Sequence, residues 1–175
     1  MLANWSVAAQ TTPPMPFAFD LVPIAGFTGL MAAAAFEDFR RLVIPNAVVA
    51  GLCALWPLHL ATGPGFTLAG SLYAAGCALA VFLCGALLFS RGLIGGGDVK
   101  LLAAATLWAG PAATPTLLVV TAVLGGLLTL VLLSSATVRA AFSWARDAAL
   151  RSVPVPYGVA IAAAAVIVTV PPNLP

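Results

Sequence analysis

The chain has 175 residues, 62% hydrophobic and only 7% charged, with a mean hydropathy of +1.11. That composition excludes an ordinary water-soluble domain. Six spans of about 20 residues would occupy about 120 residues and leave roughly 55 for ends and connections, so the length suits one compact integral-membrane domain over 1–175. The formal net charge of +2 says less than where the charges stand. Residues 21–36, 42–90, 101–138 and 152–175 contain no Asp, Glu, Lys or Arg, so the charged clusters between them mark where the chain leaves hydrocarbon.

In chain order, residues 1–16 have no basic n-region and no cleavage signature; they read as a mature tail with Trp5 at an interface. The first span is predicted over 17–36, directly followed by Glu37-Asp38-Phe39-Arg40-Arg41. The second covers 42–60, with Pro45 expected in its first turn and Pro57 near its far end. His59 and the segment ATGPG make a turn, and the third span covers 66–89. After SRGLIGGGDVK a fourth, short span is predicted over 99–114, ended by Pro111 and Pro115, and a fifth over 116–133. Residues 134–152 read as an amphipathic connection in which Arg139, Arg146 and Arg151 stand beside Phe142, Trp144 and Leu150, suited to anionic lipid. The sixth span is 153–170. With six spans all seven basic residues fall on one side, which the positive-inside rule makes the cytoplasm, and both termini lie on the extracytoplasmic side. The fold class is therefore all-α and polytopic.

Asp38 and Asp98 both stand at cytoplasmic ends of predicted spans, one leaving span one and the other entering span four. Acids at such places often only solvate a helix end. If the two corners meet, however, a carboxylate pair sharing one proton is the constellation for peptide hydrolysis: one group activates water while the other donates a proton. Asp20, at the outer end of span one, is not a candidate partner.

The segments Asp38-Phe-Arg-Arg-Leu-Val-Ile44-Pro45-Asn46 and Gly95-Gly96-Gly97-Asp98-Val99-Lys100 resemble the two signature segments of type IV prepilin peptidases, the second being like that family's GxGD motif. The similarity extends through LLAAATLWAG and the late PYGVAIAAA stretch. It implies a membrane aspartic endopeptidase of the bacterial or archaeal cytoplasmic (inner) membrane. Such an enzyme removes the short basic leader of prepilin or pseudopilin precursors at the cytoplasmic face, with Asp38 and Asp98 as catalytic residues. The small size and the DFRRLVIPN form are most similar to the compact, protease-only members of tight-adherence and Flp pilus systems. No paired-CxxC element stands in the chain, so methyltransferase activity is not expected.

Around the pair, Gly95, Gly96 and Gly97 are expected to allow close backbone approach and unusual dihedrals, either as an open wall for an extended substrate or as a tight turn. Lys100 would either meet the substrate or reach water by snorkelling. Ile44, Pro45 and Asn46 are read as architectural support, with Asn46 making a local polar contact, and Arg40 and Arg41 as anchors for anionic lipid. Cys53, Cys77 and Cys84 lie inside apolar spans without CxxC spacing and are expected to pack structurally, and His59 is expected on the opposite side. No metal, no cofactor and no nucleic-acid partner is therefore expected, and the glycines lack the Lys-Ser/Thr of a phosphate loop. The small-residue pairs Gly26/Gly29, Gly70/Ala74 and Gly125/Thr129 are candidates for close helix packing. The competing functions are a small transporter, disfavoured by the absence of midspan ionisable groups, and a non-catalytic pilus-assembly scaffold.

Overall fold

The computed structural model describes residues 18–62, 67–134 and 155–170. They form five helices: α1 (Ala18–Arg41), α2 (Asn46–Thr62), α3 (Leu68–Ser90), α4 (Gly96–Ser134) and α5 (Tyr157–Thr169). Three segments, Leu21–Arg41, Leu68–Ser90 and Gly96–Leu132, are long and apolar enough to cross a membrane, and α2 and α5 are shorter apolar helices. The protein is thus an all-α, polytopic membrane protein. Trp5, the amphipathic connection with its three arginines, and the tail after Val170 lie outside the described residues.

α1 runs five residues further than expected, so Glu37 and Asp38 belong to its last turns. Nothing in Glu-Asp-Phe-Arg-Arg breaks a helix. Arg41 Nε stands 3.4 Å from Glu37 Oε2, and the Arg40 guanidinium lies 5.2 Å from the centre of the Phe36 ring. Both arginines also suit the negative end of the helix dipole. The helix stops at Leu42, which adopts φ 54°, a left-handed conformation that costs a non-glycine residue about 1–2 kcal/mol. Ile44 then precedes a proline and so avoids helical geometry. Pro45 falls just before α2 rather than in its first turn, its carbonyl accepting from the Val48 N–H at 3.1 Å.

A straight helix of α4's 39 residues would be about 58 Å long, roughly twice the hydrocarbon thickness. It is broken at Gly110 (φ 71°, ψ 175°). Pro111 opens the second arm, where its missing N–H would have had no intrahelical acceptor anyway, and Thr114 Oγ1 donates to the Gly110 carbonyl at 2.6 Å. The two arms, 96–109 and 111–134, fold back on each other. Gly97 touches Ile44, which touches Gly158 of α5, while Gly125, some 42 Å further along a straight helix, rests on Tyr157 and Ala160 of the same α5 turn. The arms match the predicted spans four and five, but Pro111 and Pro115 begin the second rather than end the first.

α5 is the centre of the bundle, packed between α1 and α4, with Ala160, Ile161, Ala162, Ala164 and Ala165 buried. Its small side chains let both neighbours come close, the packing that holds helices together where lipid removes the hydrophobic drive. Of the expected close-contact glycines, Gly26 meets Leu55 and Gly125 meets Tyr157, whereas Gly29 faces open space and Gly70 meets only its own cap, Thr67. Away from Asp38, Trp108 packs on Phe27 (ring centres 4.6 Å apart) and His59 (4.9 Å), and its Nε1 donates to the Leu52 carbonyl at 3.0 Å. Cys53 and Cys84 correct another expectation. They lie on exposed helix surfaces, and all three cysteines are free thiols.

Candidate active site

Four chain segments converge at the end of the bundle where α1 stops: the last turns of α1, the bend before α2, the first turn of α4 and the first turn of α5. Asp38 is only 5% exposed although it is an acid, and its Oδ2 accepts from the Gly158 N–H at 2.7 Å. A buried carboxylate is tolerable only with such partners.

Asp98 is placed by local chemistry. α3 ends in a Schellman turn: Gly92, at φ 72°, sends its N–H to the Phe89 carbonyl (2.9 Å), and the Leu93 N–H reaches the Leu88 carbonyl (3.0 Å). The chain then turns into α4, where the Val99 N–H bonds the Gly95 carbonyl at 3.1 Å. With Gly95 as cap, Asp98 is the third helical residue, and its carboxylate folds back onto the Gly95 N–H in the manner of a capping box. A Cβ on Gly95 would stand 2.7 Å from Asp98 Oδ2, so that return requires glycine.

Asp38 and Asp98 share this corner, because Gly158 closes on Asp38 and Ile44, and Ile44 in turn on Gly97, the residue before Asp98. Ile44, 7% exposed, fills the space behind them: its Cβ lies 3.2 Å from where a Cβ of Gly97 would be, and its Cδ1 2.9 Å from that of Gly158. Lys100 Nζ donates to Asn46 Oδ1 at 3.1 Å, tying the start of α2 to the first turn of α4. Pro45 shapes the bend between them. The structure therefore brings together every residue singled out around the aspartates, with two changes of role. Gly95, Gly96 and Gly97 all have ordinary negative-side dihedrals and serve close approach, to Asp98, Phe89 and Ile44 respectively. Lys100 and Asn46, read separately in the sequence, bond each other. Sequence reasoning did not place Gly158 or Gly92 here; the PYG string was the one available signal for the first. Among the described residues no group of three or more His, Cys, Asp or Glu side chains could hold a metal ion.

The family model of the type IV leader peptidases matches residues 25–130, more than half of the chain, including both aspartate segments. The chain belongs to the type IV leader peptidase family. No curated protein and no solved structure matches it. Membership identifies a membrane aspartic endopeptidase that processes prepilin-like leader peptides, the activity that the two motifs implied. In this leader peptidase the two aspartates within the matched residues stand on different helices, Asp38 on α1 and Asp98 on α4.

Proposed function

We propose that Asp38 and Asp98 are the catalytic pair of this leader peptidase. The observation that carries the reading is geometric: Gly158 closes on both Asp38 and Ile44, and Ile44 on Gly97, the residue before Asp98, so acids from two different helices share one corner of the bundle. Two carboxylates so placed favour holding one proton between them. Water held by the pair loses a proton to the ionised carboxylate as its oxygen attacks the scissile carbonyl carbon, and the protonated partner gives its proton to the carbonyl oxygen. Collapse of the tetrahedral species breaks the C–N bond: the proton gained from water passes to the leaving amine, and a hydroxyl of the gem-diol returns its proton to the other carboxylate as the carboxyl product forms. The single-proton state is then restored, so no cofactor is consumed.

The substrate is a precursor with a short basic leader and one apolar helix. Six spans, with both termini on the extracytoplasmic side, put the pair at the cytoplasmic face of the inner membrane, where such a leader emerges. Arg40, Arg41 and Arg91 then lie on the same side as Lys100 and attract anionic headgroups. Reporter fusions after residues 65, 94 and 145 should read outside, inside and inside; opposite readings at 94 and 145 reject this topology.

The catalytic assignment is tested by co-expressing a neighbouring small pilin precursor with Asp38→Asn and, separately, Asp98→Asn. Each variant, still inserted, should lose cleavage by about 10²–10⁴-fold or more, the scale of removing an acid or base from the reacting centre. Undiminished processing by either variant rejects the pair.

A further inference from the structure

We propose that the first turn of α5 is a third wall of the catalytic site, with Gly158 as the positioning residue that fixes the Asp38 carboxylate. This deepens the Asp38–Asp98 reading and rests on it. The two aspartates are not equivalent in their own helices. Asp98 occupies the first turn of α4, where the helix dipole and the Gly95 N–H both favour an anion. Asp38 occupies the opposite end of α1, where the exposed carbonyls of the same helix disfavour one. What Asp38 lacks locally is supplied from 120 residues away: the N–H of Gly158 at 2.7 Å, at the positive end of α5. Each carboxylate thus faces a helix N-terminus, one its own and one borrowed.

The approach leaves no space for a side chain. A Cβ on residue 158 would stand 2.7 Å from Asp38 Oδ2, 2.8 Å from its Cγ and 2.9 Å from Ile44 Cδ1, all well inside van der Waals contact. Gly158 has no positive φ, so its backbone conformation does not call for glycine; the carboxylate does. The turn is itself anchored, the Tyr157 N–H bonding the Val155 carbonyl (2.8 Å) and the Val159 N–H the Pro156 carbonyl (3.2 Å), which leaves the Gly158 N–H as the donor aimed outward. The last helix, lying beyond the matched residues, is on this account part of the catalytic apparatus and not only its scaffold.

Among the described residues, the charged groups that bear on Asp38 are few. Asp98 acts from α4, and Glu37, Arg40 and Arg41 belong to its own helix. Of the helices packed on α1, α5 brings Tyr157 as its titratable side chain and α2 brings Cys53 and His59.

The experiment measures leader cleavage by the full-length protein in membranes, across pH, for Gly158→Ala, for Gly158→Ala with Ile44→Val, and for an ester in place of the 157–158 peptide bond. The ester, made by placing glycolic acid at position 158, replaces that bond's N–H by an oxygen and leaves every side chain in place. Positioning predicts a fall in kcat of about 100-fold, the scale of losing one charge-directed donor, with KM unchanged for both Gly158→Ala and the ester. It also predicts that the acid limb of kcat/KM moves up by about one pH unit, because the lost donor favoured the ionised pair. Ile44→Val, which removes the Cδ1 clash but not the clash with the carboxylate, should fail to restore Gly158→Ala. Restoration by Ile44→Val, or an ester variant with native kcat and native acid limb, overturns the proposal in favour of simple packing. If Gly158→Ala does not insert, the ester decides. Gly126→Ala, whose Cβ meets open space, serves as the neutral control. Failure here with inactive Asp38→Asn and Asp98→Asn leaves the catalytic pair standing, whereas activity in those two variants removes the pair itself.

Discussion

Gly85 offers a way to move Asp98 without touching it. It lies on α3 against Val99, the residue after the aspartate, and a Cβ added there would stand 2.7, 3.1 and 3.3 Å from Val99 Cγ1, Cγ2 and Cβ. Carbon atoms rest about 3.5–4.0 Å apart, so the Gly85→Ala variant must open its closest contact by roughly 1 Å. Val99 cannot swing away, because a β-branched side chain in a helix holds essentially one rotamer, and it is only 4% exposed. The first turn of α4 has to shift instead, carrying Asp98 with it. Overpacking of this kind costs about 1–3 kcal/mol, and a displacement near 1 Å at a reacting group costs about 100-fold in rate. We expect Gly85→Ala to lower the thermal midpoint in detergent and to slow precursor cleavage about 100-fold. Val99→Ala, which deletes both Cγ atoms, should recover most of that loss in the double variant while costing some packing by itself. A cycle in which the two substitutions simply add, or a Gly85→Ala protein with native cleavage, would refute the link between the α3–α4 contact and the placement of Asp98.

At Leu42, where the left-handed backbone reverses the usual order of residue preference, Leu42→Gly should be more stable than Leu42→Ala by about 1 kcal/mol, read as the difference in unfolding midpoint between two variants that both lose the side chain. Equal stabilities would show that the bend does not require that geometry. Trp108→Phe keeps one aromatic ring but deletes the donor to the Leu52 carbonyl and part of the buried indole, and should cost at least about 0.5–1.5 kcal/mol in the same measurement with little change in cleavage. A large loss of cleavage would mean that the far end of the bundle takes part in the reaction.

Much of the fold was legible because membrane insertion writes itself into composition. Apolar runs free of charge marked the helices, and the clusters around Asp38 and Asp98 marked one common end. The errors fell where a boundary depends on a competition that spacing does not report. Pro111 and Pro115 stop helices in general, but a proline with no amide to offer is equally at home at the start of one, and the break at Gly110 decided between the two. Likewise, charge alone suggested that α1 ends at Phe36, whereas the pairing of Glu37 with Arg41 and the absence of a breaker carry it through Asp38.

The sequence by itself determined the class of protein and marked two candidate acids, because charged side chains inside an apolar chain are costly and therefore conspicuous, and the segments around these two resemble a family's signatures. It also marked the glycines before Asp98, though not what each of them makes room for. Only the tertiary structure decided what supports Asp38. Its hydrogen-bond donor is a main-chain N–H, a group carried by every residue except proline, so no pattern of letters tells which one will meet a carboxylate 120 positions away. That choice is made by packing, when the small side chains of α5 let its first turn settle against the end of α1.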